Sequence, residues 1–325
     1  MSNHTTSRAS ARAQSTSWRG SAPILAASVL WGSTGTAASL APAGTSAAAI
    51  GSAGLALGGS LLYLTGRVHR RTVDRLRPNG SERWLLILGA CAVAGYPVTF
   101  YPAVARTGVA VATVLALGSA PVFAGLLSWV TGRGRPAPRW CAATALAVIG
   151  CALLVLGPQL ATATTRIDVL GVLLALCGGL TYAVYSLIGS TLITRGHASN
   201  TVMGTMFGLA AVLVLPVVLT AHPAWLLSPR GAAVALHLAL FTTFLAYRLF
   251  GYGLRHTSVD TATTLTLAEP AVAALLGVTV VGERLPALSW TGFLILAAAL
   301  ALLTRPAKRA AANPREEDAD RRGSR

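Results

Sequence analysis

Long apolar segments alternate with short polar loops along almost the whole chain. A helix needs about 20 mostly apolar residues to cross a bilayer, and ten segments meet this requirement. They cover residues 22–40, 46–66, 84–104, 108–131, 139–157, 168–192, 201–220, 232–254, 258–281 and 287–304. The connecting loops are short and contain Gly, Pro or Arg, so none of them forms a soluble domain. The pattern predicts an all-α integral membrane protein with ten transmembrane helices.

Composition supports this interpretation and the charge refines it. Of 325 residues, 54% are hydrophobic and only 11% are charged, and the mean hydropathy is +0.62. The net charge of +16 suggests nucleic-acid binding in a soluble chain, but here the arginines separate apolar segments and form no patch with interleaved aromatic residues. We therefore exclude nucleic acid as a partner.

The distribution of the 26 lysines and arginines indicates which side of the membrane each loop occupies. With the N-terminus in the cytoplasm, 21 of them fall on the cytoplasmic side and 4 on the other, and Arg248 lies within a segment. Cytoplasmic loops carry the excess of positive charge in membrane proteins. The count therefore predicts a multi-pass protein of the cell (inner or plasma) membrane with both termini cytoplasmic. Residues 1–21 and 305–325 are expected to be disordered, polar cytoplasmic tails.

A shift of the sequence by 150 residues against itself aligns identical residues in the two halves. The matched pairs are Thr107 and Thr257, Val109 and Val259, Thr113 and Thr263, Leu117 and Leu267, Gly132 and Gly282, Pro136 and Pro286, and Trp140 and Trp290. This pattern predicts two repeats, residues 22–158 and 166–304, of five helices each. Five is an odd number, so the second repeat enters the membrane from the opposite side. Inverted repeats of this kind are typical of secondary transporters, which hold their substrate near the midplane between the halves.

One carboxylate lies deep within an apolar segment. Of the ten acidic residues, all except Glu269 fall in loops, tails or segment ends. An ionised group at that depth costs about 2.5 kcal/mol or more, and a residue of this kind is by default a functional-site candidate. A buried carboxyl that exchanges protons would suit a proton-coupled antiporter. Glu269 is therefore the leading candidate for substrate binding or coupling.

Pro270 directly follows this glutamate and lacks a backbone N–H. The carbonyl of Thr266, four residues earlier, is therefore expected to lose its helical partner and to become free for substrate, water or another helix. Small residues share the helix face of Glu269, which indicates close packing inside the bundle.

A purely structural role for Glu269 is the alternative, because Arg248 lies at a similar depth. Counted from the helix ends at 1.5 Å per residue, the two depths differ by about 6 Å, so the side chains can meet. Arg248 can also extend toward the cytoplasmic interface or bind a carboxylate of the substrate. The sequence leaves these alternatives open.

Four aromatic residues are further candidates for the lining of a substrate cavity. Trp31 lies in the middle of the first segment, Tyr96 precedes a proline in the third, and Tyr182 and Tyr185 lie in the sixth. Amphipathic rings of this kind also pack and hydrogen-bond between helices without any ligand. The four cysteines form no CxxC and no Cys/His cluster, so we predict no metal and no cofactor, and interpret them as small core residues.

Three stretches resemble the EamA-type transporters of the drug/metabolite transporter superfamily. They are "LWG" at residues 30–32, "YRLFGYGLRHTSVDTATTLTLAEP" at 247–270 and "GERLPALSWTGFLILAAALALL" at 282–303. The last two are similar to the Glu-Pro helix of that family and to its Gly-Glu turn, which contains Glu283. The first repeat departs from the pattern, because Arg133 stands opposite Glu283. Pro121 matches Pro270 only after a slip of one residue, which puts Ala120 opposite Glu269.

The resemblance implies a secondary active transporter, not an enzyme, that exports small metabolites such as amino acids. Uptake of a metabolite is the alternative within transport. An intramembrane enzyme would need a nucleophile with a base, or clustered metal ligands, at membrane depth, and neither pattern is present. A membrane scaffold without transport would tolerate substitution of Glu269. The expected partners are a small-molecule substrate and the lipid bilayer, and a homodimer is left open.

Overall fold

A computed structural model describes residues 18–72, 78–160, 168–220 and 223–304. Within these ranges the protein consists of ten long helices and contains no strand. The helices are α1 (Trp18–Ser39), α2 (Ala47–Thr72), α3 (Gly80–Thr107), α4 (Val109–Val130), α5 (Pro138–Leu160), α6 (Val169–Thr194), α7 (Ser199–Thr220), α8 (Pro229–Gly253), α9 (Val259–Val281) and α10 (Ala287–Thr304). A short 3₁₀ turn, Pro223–Leu227, precedes α8. The all-α membrane fold predicted from the sequence is confirmed.

Helix α1 differs from the other nine in composition. Nine helices in the described part of the chain are long and apolar enough to cross a membrane, and α1 is not among them. Its 22 residues still span about 33 Å, which exceeds the hydrocarbon thickness of about 30 Å. The Ser, Thr and Gly residues that lower its hydropathy belong to a helix that packs on α8 and α9 inside the bundle.

The first helix also begins earlier than the sequence pattern indicates. It starts at Trp18, so residues 18–21, which we assigned to the tail, form its first turn. Gly20 and Ser21 are buried there, because Gly20 packs directly against His256 and Thr257 of the loop after α8. The rest of the N-terminal tail and the C-terminal tail predicted at 305–325 lie outside the described residues.

The helix contacts follow the pattern that an inverted duplication requires. If each helix of the first half corresponds to the helix five places later, α2 pairs with its own counterpart α7, and α5 with its counterpart α10; both pairs are in extensive contact. The contact of α3 with α6 corresponds to that of α8 with α1, which is also present. Gly132 and Gly282, matched in the sequence, have nearly identical φ angles of 76° and 81°.

Glycines bring the backbones of two helix pairs into direct contact. A Cβ atom added at Gly150 of α5 would lie 2.6 Å from the backbone nitrogen of Leu296 in α10, and one added at Gly292 would lie 2.6 Å from the carbonyl oxygen of Gly150. Between α2 and α7, a Cβ atom at Gly59 would lie 2.5 Å from the carbonyl oxygen of Phe207. Small residues allow this close approach of membrane helices. We call these two contacts the glycine seams.

Charged groups join α3 to the second half at both ends of the helix. At its C-terminal end, Arg106 lies 3.0 Å from Asp168, which caps α6 by accepting a hydrogen bond from the Gly171 amide. That amide and the Arg106 guanidinium hold the pKa of Asp168 below its usual value. At its N-terminal end, Glu82 lies 3.2 Å from His197 and 3.7 Å from Arg195. Both connections cross between the two repeats.

The outer surface of the bundle carries many large apolar side chains, as a lipid-facing surface requires. Three of the cysteines, Cys91, Cys141 and Cys177, lie on that surface, and only Cys151 is in the core. Our interpretation of all four as core residues was wrong, because lipid is as apolar as the protein interior and tolerates the same side chains.

Candidate functional site

A central cavity lies between the two repeats and is lined by residues of eight helices, all except α5 and α10. It encloses about 210 Å³. Its lining consists of Trp31, Thr34, Gly51, Gly54, Leu55, Val93, Tyr96, Pro97, Phe100, Tyr101, Thr113, Leu117, Tyr182, Tyr185, Phe207, Leu238, Thr242, Thr243, Tyr247 and Glu269.

The cavity extends toward one end of the bundle. Its lining residues come from the second half of α1 and the first half of α2, and therefore from the end at which these two helices are joined. The opposite half is filled by buried apolar side chains of α6, α7, α8 and the residue that follows α8. They include Leu192, Met203, Met206, Phe250 and Leu254. The site thus lies toward one end of the bundle and is closed by packed side chains at the other.

Helix α9 is broken where it reaches the cavity. It consists of an α-helix over Val259–Leu265, a turn at residues 266–267, a second α-helix over Ala268–Leu276 and a π-helical end. Pro270 lies in the first turn of the second helix, where its missing N–H removes no hydrogen bond. Glu269 precedes it and faces the cavity from the break.

The Thr266 carbonyl does not become free, as we expected from the sequence. It accepts a hydrogen bond of 3.0 Å from the Glu269 amide, three residues later. At the break the backbone hydrogen bond spans three residues instead of four. The Glu269 amide therefore takes the place of the N–H that Pro270 lacks. The side chain of Thr266 is engaged as well, because its hydroxyl accepts from Tyr182 at 2.9 Å and donates to the Thr263 carbonyl at 2.8 Å.

The Leu30–Gly32 stretch of α1 packs directly beside this break. A Cβ atom at Gly32 would lie 2.9 Å from the Glu269 carbonyl oxygen, so only glycine permits this approach. The next residue toward the N-terminus, Trp31, is buried in the cavity wall and donates a hydrogen bond of 2.8 Å from Nε1 to the Thr242 carbonyl. Its indole ring packs on Tyr247 with the ring centroids 4.9 Å apart.

Part of α8 that lines the cavity is π-helical, over Leu238–Leu245. Leu238, Thr242 and Thr243 of this segment contribute to the lining. Single π-helical turns inside α-helices occur frequently at functional sites. The irregular parts of α8 and α9 therefore meet the same cavity from two sides.

Tyrosine side chains form much of the wall and hydrogen-bond to one another. The hydroxyl groups of Tyr185 and Tyr247 are 3.1 Å apart, and the ring of Tyr182 lies between those of Tyr96 and Tyr185, at centroid distances of 6.5 and 5.2 Å. Tyr96 stacks on Phe100 at 5.3 Å. The polar edges of these residues are thus mostly paired within the protein.

The structure brings five of the predicted site residues to this cavity and places the others elsewhere. Trp31, Tyr96, Tyr182, Tyr185 and Glu269 line it, and Thr266 lies behind Tyr182. Arg248 does not contribute to the lining, and its guanidinium lies over the ring of Phe244, 5.3 Å from the ring centroid. Among the ion pairs of the described ranges none joins Arg248 to Glu269. Adjacent helix positions point about 100° apart, so Arg248 faces away although Tyr247 faces inward.

The motif residues Glu283 and Pro121 also lie away from the cavity lining. Glu283 is exposed after the end of α9, where its amide donates a hydrogen bond of 3.0 Å to the Gly277 carbonyl. Pro121 is buried inside α4, which is unbroken. The break in α9 therefore has no counterpart in the first repeat.

Sequence reasoning missed several residues of the wall, namely Phe100, Tyr101, Phe207, Thr242, Thr243 and Tyr247. A usable signal was present for the tyrosines, because five of the seven in the chain line the cavity. Tyr247 also begins one of the stretches that carry the family resemblance.

Replacement of Tyr182 by phenylalanine tests whether its hydroxyl supports the helix break. The variant keeps the ring but loses the donor to Thr266, and we expect the free energy of unfolding to fall by about 1 kcal/mol or less. The measurement is a denaturant titration of the purified protein in detergent. Tyr252→Phe serves as control, because Tyr252 is exposed, and equal midpoints for both variants would contradict the expected contribution.

Comparison with known proteins agrees with the geometry. The model of the EamA-like transporter family matches residues 18–156 and 169–305, once in each half. A relative from Bacillus subtilis (strain 168), the uncharacterized transporter YwfM, is 37% identical over 86% of this chain and 92% of its own length. The threonine/homoserine exporter RhtA of Salmonella typhimurium (strain LT2) is 30% identical over 69% of this chain and 70% of its own.

A solved crystal structure that is 19% identical superimposes with a TM-score of 0.74 and covers 88% of this chain and 96% of the other. At this identity the match shows the fold alone. The two family matches together cover most of the chain, and the relatives named above are transporters, so the alternative of an intramembrane enzyme is set aside. With eight of its ten described helices lining a central cavity, the chain belongs to the EamA-like transporter family.

Proposed function

We propose that this transporter exports small metabolites such as amino acids across the cell membrane and couples their export to protons. The observation that carries the proposal is the position of Glu269. It is the only acidic residue among those that line the cavity, and no hydrogen bond or ion pair of its carboxylate occurs within the described ranges. A carboxylate at membrane depth without a partner is free to exchange a proton for a ligand.

The orientation given by the positive charges fits the proton-uptake step of an exporter. With both termini cytoplasmic, the end at which α1 joins α2 faces outward, and the cavity extends toward that end. An outward-facing cavity allows a proton from outside to reach Glu269 and displace the substrate. Return to the inward-facing state then delivers the proton to the cytoplasm.

The substrate class is supported by one relative and by the size of the cavity. RhtA is named as an exporter of threonine and homoserine, and about 210 Å³ accommodates a small amino acid. The lining combines aromatic rings with hydroxyl groups and one carboxylate, and small-molecule sites likewise combine apolar walls with placed polar groups.

Purified wild-type protein in lipid vesicles provides the test. We expect labelled threonine or homoserine inside the vesicles to leave faster when the exterior is acidic than at equal pH. The acceleration should disappear when an ionophore collapses the gradient. The control is vesicles without protein, and flux is measured in both directions so that uptake is distinguished from export.

Each result bears on a separate part of the proposal. Flux that ignores the gradient would overturn the proton coupling. Gradient-driven accumulation on the cytoplasmic side would overturn export in favour of uptake. Absence of flux for every amino acid tested, from protein that is folded in the vesicles, would overturn the substrate class.

A further inference from the structure

The cavity combines one carboxylate with an unusual density of aromatic rings. Eight of its twenty lining residues are aromatic, compared with 6% of the whole chain. Two pairs of these rings lie near the break in α9. Trp31 and Tyr247 form one pair, and Tyr96 and Tyr182 form the other. The π face of each ring is negative, so rings around a cavity attract a cation and repel an anion.

Positive charge is absent from the same lining. Among the twenty lining residues, all of which are described, there is no lysine, arginine or histidine. Arg248 lies over Phe244, outside the lining. His237 is held by the Ser33 hydroxyl at 2.9 Å and also lies outside it. A carboxylate of a ligand therefore finds no ionic partner at this wall.

Five of the ten other polar side chains of the wall have hydrogen-bond partners in the part of the chain that the structure describes. The Tyr182 hydroxyl binds Thr266, Tyr185 and Tyr247 bind each other, and the Trp31 indole binds the Thr242 carbonyl. The Thr242 hydroxyl in turn donates to the Leu238 carbonyl. Glu269 remains as the charged group that a ligand can satisfy.

From this arrangement we propose that the cavity recognises the ammonium group of its ligand and does not require a carboxylate. The ligand class is a small primary ammonium ion, with the amino acids as members that bind through their amino end. The ammonium group pairs with Glu269 and contacts the surrounding rings by cation–π attraction. The inference rests on the proposed function, since it concerns the substrate of the same cavity.

The proposal predicts the order in which threonine and two of its derivatives bind. L-threoninol keeps the ammonium group and replaces the carboxylate by a hydroxymethyl group, whereas N-acetyl-L-threonine keeps the carboxylate and loses the positive charge. We expect threoninol to bind at least as tightly as threonine. We expect N-acetylthreonine to need a concentration about tenfold higher or more for the same effect. n-Butylammonium, which carries no other polar group, should also bind.

Protection of Glu269 from a hydrophobic carbodiimide provides a readout that does not depend on transport. The full-length protein in lipid nanodiscs is treated with the reagent at increasing concentrations of each probe, and labelling of the peptide that contains Glu269 is measured by mass spectrometry. Ammonium probes should suppress the labelling, and N-acetylthreonine should not. Labelling of the exposed Glu283 provides an internal control and should be unchanged by all probes.

A second measurement uses variants and thermal unfolding. The rise in unfolding temperature caused by threoninol should disappear in Glu269→Gln and persist in Glu283→Gln, which makes the same substitution outside the cavity. Both variants are compared without ligand to establish that they fold.

The outcomes separate this inference from the proposed function. Equal protection by N-acetylthreonine and threonine, or no protection by any ammonium probe, would overturn the ammonium site. Protection by ammonium probes without flux in the vesicles would leave the site in place and overturn the transport proposal. Flux of amino acids in the vesicles without a preference for the ammonium group would leave the transport proposal in place and overturn the ammonium site.

Discussion

Replacement of Glu269 by glutamine is expected to abolish gradient-driven transport and to leave the protein folded. Glutamine has nearly the same volume as glutamate and removes only the titratable group. The carboxylate has no hydrogen-bond or ion-pair partner in the part of the chain that the structure describes, so no internal contact is lost with it. We expect gradient-driven efflux to fall by about tenfold or more, while the free energy of unfolding stays the same or rises, because a charge is removed from the membrane interior.

The measurement compares flux in vesicles that contain equal amounts of wild-type, Glu269→Gln and Glu283→Gln protein. Glu283 is exposed and lies outside the cavity, so its variant should transport like the wild type. Glu269→Asp keeps the charge on a shorter side chain and should retain partial activity. Full gradient-driven flux in Glu269→Gln would show that the carboxylate is not the coupling group.

Replacement of Gly292 by leucine is expected to unfold or severely destabilise the protein. The position has no room for a side chain, because an added Cβ atom would lie 2.6 Å from the Gly150 carbonyl oxygen and 2.8 Å from the backbone carbon of Leu153. Both are backbone atoms of α5, which cannot move aside as a flexible side chain does. Forcing the two helices apart should cost about 3 kcal/mol or more, at the upper end of the range for overpacked cores.

Gly35→Leu is the matched control for this variant. Gly35 also lies in a long helix, but an added Cβ atom there has no neighbour within 4 Å. The yield of monodisperse protein in detergent and the unfolding midpoint should therefore drop for Gly292→Leu and change little for Gly35→Leu. Equal behaviour of the two would show that α5 and α10 are not held by direct backbone contact.

The sequence predicted the ten helices and the two inverted repeats because long apolar segments, the balance of positive charge and the match of the two halves at a shift of 150 residues are strong signals. It also selected Glu269, since a carboxylate stands out against an apolar background. The break at residues 266–267 was only partly foreseen. Pro270 indicated a disturbance, but the new partner of the Thr266 carbonyl depends on the three-dimensional course of α9.

The orientation of each helix about its axis was the least predictable property. In a soluble protein the apolar face marks the interior, but lipid and protein core are equally apolar, so the pattern does not tell which side of α8 faces the cavity. Arg248 was chosen for its charge, whereas its neighbour Tyr247 occupies the wall. Tyr101 and Phe207 were missed for the same reason.

The glycine seams have a consequence for the biogenesis of the protein. A chain is synthesised from its N-terminus, yet α2 and α5 of the first repeat pack against α7 and α10, which belong to the second repeat and are made later. After α5 has been inserted, its glycine-lined surface must therefore remain in lipid, without its partner, until the last helix arrives. The first repeat is consequently an unfinished intermediate in the membrane, and the enclosure of the cavity is among the final events of folding.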